Sequence, residues 1–99
     1  MKILITQPGI ARLKEIHDYY KERVHLQLAN KIKTGIIEKI GYIEANPYLG
    51  QTEEMLEELG LNHRRFVQGN YKIIYRIEDD VIYTTDIFDS RQDPSKMLG

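Results

Sequence analysis

Ninety-nine residues, 41% hydrophobic and 29% charged, fit one globular domain over 1–99 and exclude both a disordered chain and a second core. No apolar run approaches the ~20 residues needed to cross a bilayer. The apolar part of MKILITQPGI is also too short for a secretion signal, so a cytoplasmic location with no membrane partner is expected.

The chain has no cysteine, and His17, His25 and His63 fall at no metal-ligand spacing, which excludes disulfides and speaks against zinc. No cofactor and no small-molecule substrate are expected. The formal net charge of −1 conceals a segregation. Five acids and no Lys or Arg lie from Glu44 to Glu58, whereas His63 to Ile77 carries Arg64, Arg65, Lys72 and Arg76 with no acid. Because local fields rather than totals steer partners, a polyanion-facing surface is expected on the second stretch.

In chain order, Lys2 to Thr6 alternates as a short strand and stops at Gln7-Pro8. Pro8 suits a first helical turn, where its missing N–H is no loss. Ile10, Leu13, Ile16, Tyr20 and Val24 then recur at three- and four-residue steps, predicting an amphipathic helix. A second helix is predicted from Leu26 to Ala45 on the stripe Ala29, Ile32, Ile36, Ile40 and Ile43, ended by Asn46-Pro47. The short join between them implies an antiparallel pair, and Gly35 suggests a close helix–helix contact.

Residues 47–62 form a connection with a helical turn in EEMLEEL, expected to be pinned by Met55, Leu56, Leu59 and Leu61. Three strands follow: His63 to Gln68, Tyr71 to Ile77 and Val81 to Phe88, joined by Gly69-Asn70 and Glu78-Asp79-Asp80. Alternation sends Tyr71, Ile73, Tyr75 and Ile77 to one side and Lys72, Ile74 and Arg76 to the other. The facing of the last strand stays open, because Tyr83 and Ile87 compete with Ile82 and Phe88. The tail from Asp89 to Gly99 is polar and expected to be loosely held. The predicted fold is α+β: an N-terminal strand, an antiparallel helical hairpin and a three-stranded antiparallel meander, helices on one face and a cationic surface on the other.

The segment RRFVQGNYKIIYRIEDDVIYTTDIFDSRQDP resembles the C-terminal half of the RelE/ParE toxin superfamily, nearer its ParE-like branch. IARLKEIHDYY and the stretch from Asn46-Pro47 to Gly50 are similar to the family's helices and the connection after them. The resemblance implies the toxin of a type II toxin–antitoxin system, active in growth inhibition and plasmid stabilisation. It also implies a cognate antitoxin whose flexible segment wraps the toxin; basic strands and a helical hairpin would suit an acidic, amphipathic one.

Two mechanisms follow from the resemblance. RelE-like members are metal-independent, ribosome-dependent mRNA endoribonucleases; attack by a 2′-hydroxyl needs a proton acceptor, a proton donor and fixed positive charge. Lys72 stands where such members hold phosphate, with Arg76 and Arg91 as further catalytic candidates. Ser90 and Arg91 replace the histidine or tyrosine at the end of the last strand, and both are poor proton carriers near neutral pH. The alternative, poisoning DNA gyrase by direct binding, needs no acid–base pair. A non-toxic binding protein of the same fold is the third reading.

For target or antitoxin binding the candidates are Arg64, Arg65, Lys72, Arg76 and Arg91. Each has a structural alternative. Only one of Arg64 and Arg65 can lie on a given face, Arg76 can pair with Asp86, and Arg91 can brace a turn with Asp93. Tyr71, Tyr75 and Tyr83 are expected to pack rather than stack on bases, EEMLEEL to be a solvated helix face, and the three histidines to lie at the surface.

Overall fold

The computed structural model describes all 99 residues. Strand β1 (Lys2–Ile5) leads into helix α1 (Gln7–Arg23) and helix α2 (Leu26–Ala45). After them come β2 (Gln51–Thr52), an acidic 3₁₀ segment (Glu54–Leu59), β3 (Arg64–Gln68), β4 (Tyr71–Glu78), β5 (Val81–Asp89) and a short 3₁₀ turn at Pro94–Lys96. The strands make one sheet in the order β1-β5-β4-β3-β2, with β1 parallel to β5 and the other pairs antiparallel. Sequence patterning anticipates every element except β2, whose two residues are too short to alternate, and the 3₁₀ turn at Pro94–Lys96, which falls in the tail expected to be loose.

Local chemistry fixes the ends. The Thr6 hydroxyl accepts from Gly9 N–H at 3.2 Å and caps α1, with Pro8 in the first turn. The His25 Nδ1 accepts from Leu28 N–H at 3.0 Å and caps α2, and the His17 ring ties to Asn30 Oδ1 at 2.8 Å across the hairpin. Gly69 takes φ +60° in the β3–β4 turn, while Asp79 and Asp80 both take left-handed backbone in the β4–β5 turn. Right-handed strand twist favours such turns at two-residue connections.

The helix-facing core joins Leu13 and Ile16 of α1, Ile36, Ile40 and Ile43 of α2, and Tyr71, Ile73, Tyr75, Ile82 and Ile87 of the sheet. Ile82 and Ile87 lie five residues apart yet share this face because a bulge interrupts the pairing: Ile74 opposes Asp86, but Tyr75 opposes Thr84. That extra residue resolves the facing of β5, which period-two alternation alone leaves open. Ile10 and Val24, expected on the buried stripe of α1, are instead half exposed. Gly9 takes the inward position, where a Cβ would come within 2.9 Å of the Thr84 carbonyl. Gly35 abuts not a helix but the Gln68 side chain of β3, 2.9 Å from where its Cβ would stand.

The outer side of the sheet is also covered. Leu56, Ile74, Phe88 and Met97 form a second buried cluster, so the acidic 3₁₀ segment and the C-terminal residues both close over β4 and β5. Here the tail departs from the loose segment expected of its polarity, because Met97 is buried. Met55, Leu59 and Leu61 do not pin the connection; they are exposed, and Leu56 alone is buried.

Candidate functional site

The cations of residues 63–77 separate by strand register. Arg64 pairs with Tyr75 and shares the helix-facing side, whereas Arg65 pairs with Ile74 on the outer side. Arg64 donates to the carbonyls of Tyr48 and Gly50 at 3.1 and 2.9 Å, and its guanidinium lies 5.6 Å from the Tyr48 ring centroid. It thereby holds the turn after α2, where the Tyr75 hydroxyl donates to Pro47 O at 2.7 Å and accepts from Gly50 N–H at 3.1 Å. Only glycine fits at position 50, since a Cβ would lie 2.2 Å from that hydroxyl. Burial pushes the Tyr75 phenol above its ordinary value, which keeps it a donor.

On the outer side, Lys72, Arg65 and Arg76 each meet a carboxylate of this chain. Lys72 Nζ lies 3.1 Å from Glu53 Oε1, and Arg65 Nη1 lies 3.5 Å from Glu53 Oε2 and 3.0 Å from Glu54 Oε2. Glu53 is 1% exposed, and two cations converge on it, the arrangement that burial of a carboxylate calls for. Glu54, with its own backbone N–H as the largest cause and Arg65 next, titrates below the ordinary carboxylate range. The expected solvated face holds for Glu57 and Glu58, which are exposed, whereas Glu53 is buried against Lys72 and Arg65, and Glu54 meets Arg65.

Arg76 departs from the expected pair with Asp86. Its guanidinium meets Glu78 and lies 4.6 Å from the Tyr83 ring centroid, on the same outer side. Asp86, fully buried, accepts instead from Arg12 Nε of α1 at 3.0 Å and from Leu98 N–H at 3.0 Å. The route for Arg12 is open because β1 ends at Ile5 opposite Thr84, leaving the later half of β5 without a neighbour on that edge. Burial pulls the Arg12 guanidinium down, but the Asp86 hydrogen bond and charge outweigh it, so its pKa rises.

Along that free half-edge lies a cavity of about 310 Å³ lined by Arg12, Tyr19, Tyr71, Asp89, Arg91 and Lys96 among others. Arg91 does not brace a turn with Asp93. It grips Asp89 through two parallel bonds, Nε to Oδ1 at 2.9 Å and Nη2 to Oδ2 at 2.8 Å. The Ser90 hydroxyl donates to Asn70 O at 2.9 Å. Tyr71, pushed up by burial and then by the Tyr20 hydroxyl, closes the inner wall. His63, expected at the surface, is 2% exposed, with Nε2 3.0 Å from the Gly99 carbonyl oxygen.

The geometry thus puts Lys72, Arg65 and Arg76 on one face, Arg64 on the other and Arg91 at the cavity on the free edge of β5. Sequence reasoning missed Glu53, Asp86 and Arg12 as organisers of that surface, because their partners lie 12 to 74 residues away. The sequence model of the family described as "ParE toxin of type II toxin-antitoxin system, parDE" matches residues 3–94. The chain belongs to the ParE toxin family. A solved structure described as a chromosomal ParDE toxin–antitoxin system from P. aeruginosa shares the fold with a TM-score of 0.77 at 20% identity, over 90% of this chain and 95% of that one. No curated protein matches in sequence. No helix of this family member is long and apolar enough to cross a membrane.

Proposed function

We propose that the chain is the toxin of a type II pair and inhibits growth by binding a macromolecular target, DNA gyrase, rather than by cutting RNA. The observation that carries this reading is the commitment of the cations. Lys72, Arg65, Arg76 and Arg91 each already hold a carboxylate of this chain. A phosphate-gripping lysine serves cleavage when its charge is free for the developing oxyanion, and Lys72 spends it on a buried glutamate. At the end of β5, Ser90 is bonded to Asn70 and Arg91 to Asp89, and neither side chain carries protons well near neutral pH. Surface binding needs none of that chemistry.

Induced expression should arrest growth, with loss of supercoiling or persistent DNA breaks and intact transcripts. Ribosome-dependent transcript cleavage with gyrase unaffected would instead assign the chain to the nuclease mechanism. Neutralisation by a cognate antitoxin belongs to the same reading. Co-expression with the adjacent small open reading frame should give a stable complex, weakened by Arg76→Ala and Arg91→Ala. Charge reversal at Lys72 is a poorer probe, because it would set two carboxylates against each other at Glu53. A complex indifferent to both alanine variants removes those arginines from the interface.

A further inference from the structure

Most of the positive charge on the sheet is spent within the chain. Six of the fourteen Lys and Arg residues meet a carboxylate, and Arg64 is held by two carbonyl oxygens. Of the seven that remain, four fall at the closed end of the helical hairpin: Lys21 and Arg23 in the last turn of α1, Lys31 and Lys33 early in α2. All four are exposed. Against these four cations Glu22 is the only acid from Tyr19 to Lys33, in a chain whose net charge is −1.

The seam between the helices arranges two of them. His17 meets Asn30 at 2.8 Å across the hairpin. Lys21 lies one turn beyond His17 towards the tip, and Lys33 nearly one turn beyond Asn30 away from it, so both stand on the stripes that line the seam. Seven residues of helical rise separate them along it, about 10 Å. The major groove of B-DNA is about 12 Å wide, so long lysine side chains at that spacing reach phosphates on both its edges. His25 adds a donor at the tip. Its Nδ1 accepts from Leu28 N–H, which places the ring proton on Nε2, and the residue is exposed.

The surroundings favour a duplex backbone over single-stranded bases. The exposed Tyr19 ring already carries the Arg23 guanidinium 5.1 Å from its centroid, so this end offers charge rather than a row of rings on which successive bases stack. Its field is also little cancelled. Glu38 is adjoined by Lys39, and the five acids from Glu44 to Glu58 begin about 16 Å of helical rise beyond Lys33. That is twice the Debye length of about 8 Å at physiological salt.

We infer that the closed end of the hairpin docks on the phosphate backbone of duplex DNA, with Lys21 and Lys33 as central contacts and Arg23, His25 and Lys31 beside them. The polyanion-facing surface thereby moves from residues 63–77, where sequence alone suggests it, to the helices. Choosing a DNA duplex rests on the gyrase reading, since that target holds one; the docking surface itself rests on the free charge.

Fluorescence anisotropy of the full chain with labelled DNA duplexes of two unrelated sequences tests the surface apart from gyrase. Binding should be micromolar at low salt, alike for both sequences, and should weaken with a log–log salt slope of about −3 to −4, about 0.9 for each of four cations. In Lys21→Gln/Lys33→Gln, shown folded by circular dichroism, affinity should fall at least tenfold and the slope should shrink by about 2. If that pair proves unfolded, Arg23→Gln/Lys31→Gln replaces it with the same expectation. Lys39→Gln removes a free charge on the side of α2 where Gly35 meets Gln68 of β3, and should change affinity less than twofold. No saturable binding at low salt, or a slope untouched by the double variant, overturns the surface. Tighter binding of an RNA duplex of matching sequence overturns DNA as its ligand. DNA binding as described, with supercoiling by gyrase unaffected, supports the surface and removes the gyrase reading alone.

Discussion

The two sides of the sheet are built by different means. The helix-facing side is a continuous apolar layer drawn from α1, α2, β4 and β5, and it is written locally, as three- and four-residue steps in helices and alternation in strands. The outer side combines a four-residue apolar cluster with carboxylates and cations from remote segments: Glu53 with Lys72 and Arg65, Asp86 with Arg12 and the tail. Periodicity can specify a layer; it cannot specify which charge meets which. The apolar side is consequently legible at a glance, and the charged side is not.

The sharpest test of this contrast uses neighbours in sequence. Ile73 and Ile74 are both fully buried, yet they face opposite layers. Deleting a buried isoleucine to alanine costs about 2–5 kcal/mol, more where the surroundings cannot collapse into the void. Ile73→Ala, walled by the ten-residue core cluster, should fall in the upper part of that range in urea unfolding. Ile74→Ala should fall in the lower part, because only Leu56, Phe88 and Met97 share its cluster and fewer packed side chains hold the void open. If Ile74→Ala proves the more damaging, the outer cluster is no secondary layer and the contrast fails.

A smaller effect separates the polar partners. Lys72→Met leaves buried Glu53 with Arg65 alone, at the longer distance of 3.5 Å. Leaving a buried carboxylate short of a charged partner costs about 1–3 kcal/mol. The loss should shrink when Glu53→Gln is made alongside, since neither charge is then stranded, giving a coupling energy of about 0.5–3 kcal/mol in a double-mutant cycle. Strict additivity would mean that the lysine and glutamate do not meet in solution.

How far the sequence speaks follows the same division. Both helices, the three later strands and their turns are readable because each obeys a local rule; even the end of α2 at Ala45 is set by the proline at position 47. Within those elements the errors are positional. Ile10 reads as buried by its spacing, but Gly9 must face the sheet to let α1 approach the Thr84 carbonyl, and the stripe rotates accordingly. The bulge opposite Ile74 and Tyr75 breaks period-two counting within β5, and no signal in the composition of that strand marks it. The tail reads as free because its polarity hides an apolar anchor, Met97, and no local pattern marks the contacts of Leu98 and Gly99 with Asp86, Thr85 and His63. Of the cationic candidates, their number and strand are legible, and alternation puts Arg64 and Arg65 on opposite sides, but only the pairing of Arg65 with Ile74 shows which is the outer one. The neutralisation of Lys72 and Arg65 is not legible, since EEMLEEL has no local reason to lie against them rather than in water; Arg76 and Arg91 pair with Glu78 and Asp89 only two residues away.

The boundary between the two sides gives the mildest and most specific prediction. Asp89 pairs with Tyr71 at the end of the inner face and is held by Arg91 at the cavity beside the free edge of β5. The Arg91 hydrogen bond, only partly opposed by burial, keeps the carboxyl below its ordinary value of 3.8. A carboxyl depressed in the folded state stabilises the fold above its unfolded pKa, and that contribution is lost as pH falls through the lower folded value. The Asp89 side-chain resonance should therefore titrate with a midpoint below 3.8 in the wild type and move up towards it in Arg91→Ala, with other carboxyls unmoved. A wild-type midpoint already at the ordinary value would mean that Arg91 stands free of Asp89 in solution. Its charge would then be available to a partner, and the outer and edge cations would no longer share the neutralisation on which their common reading rests.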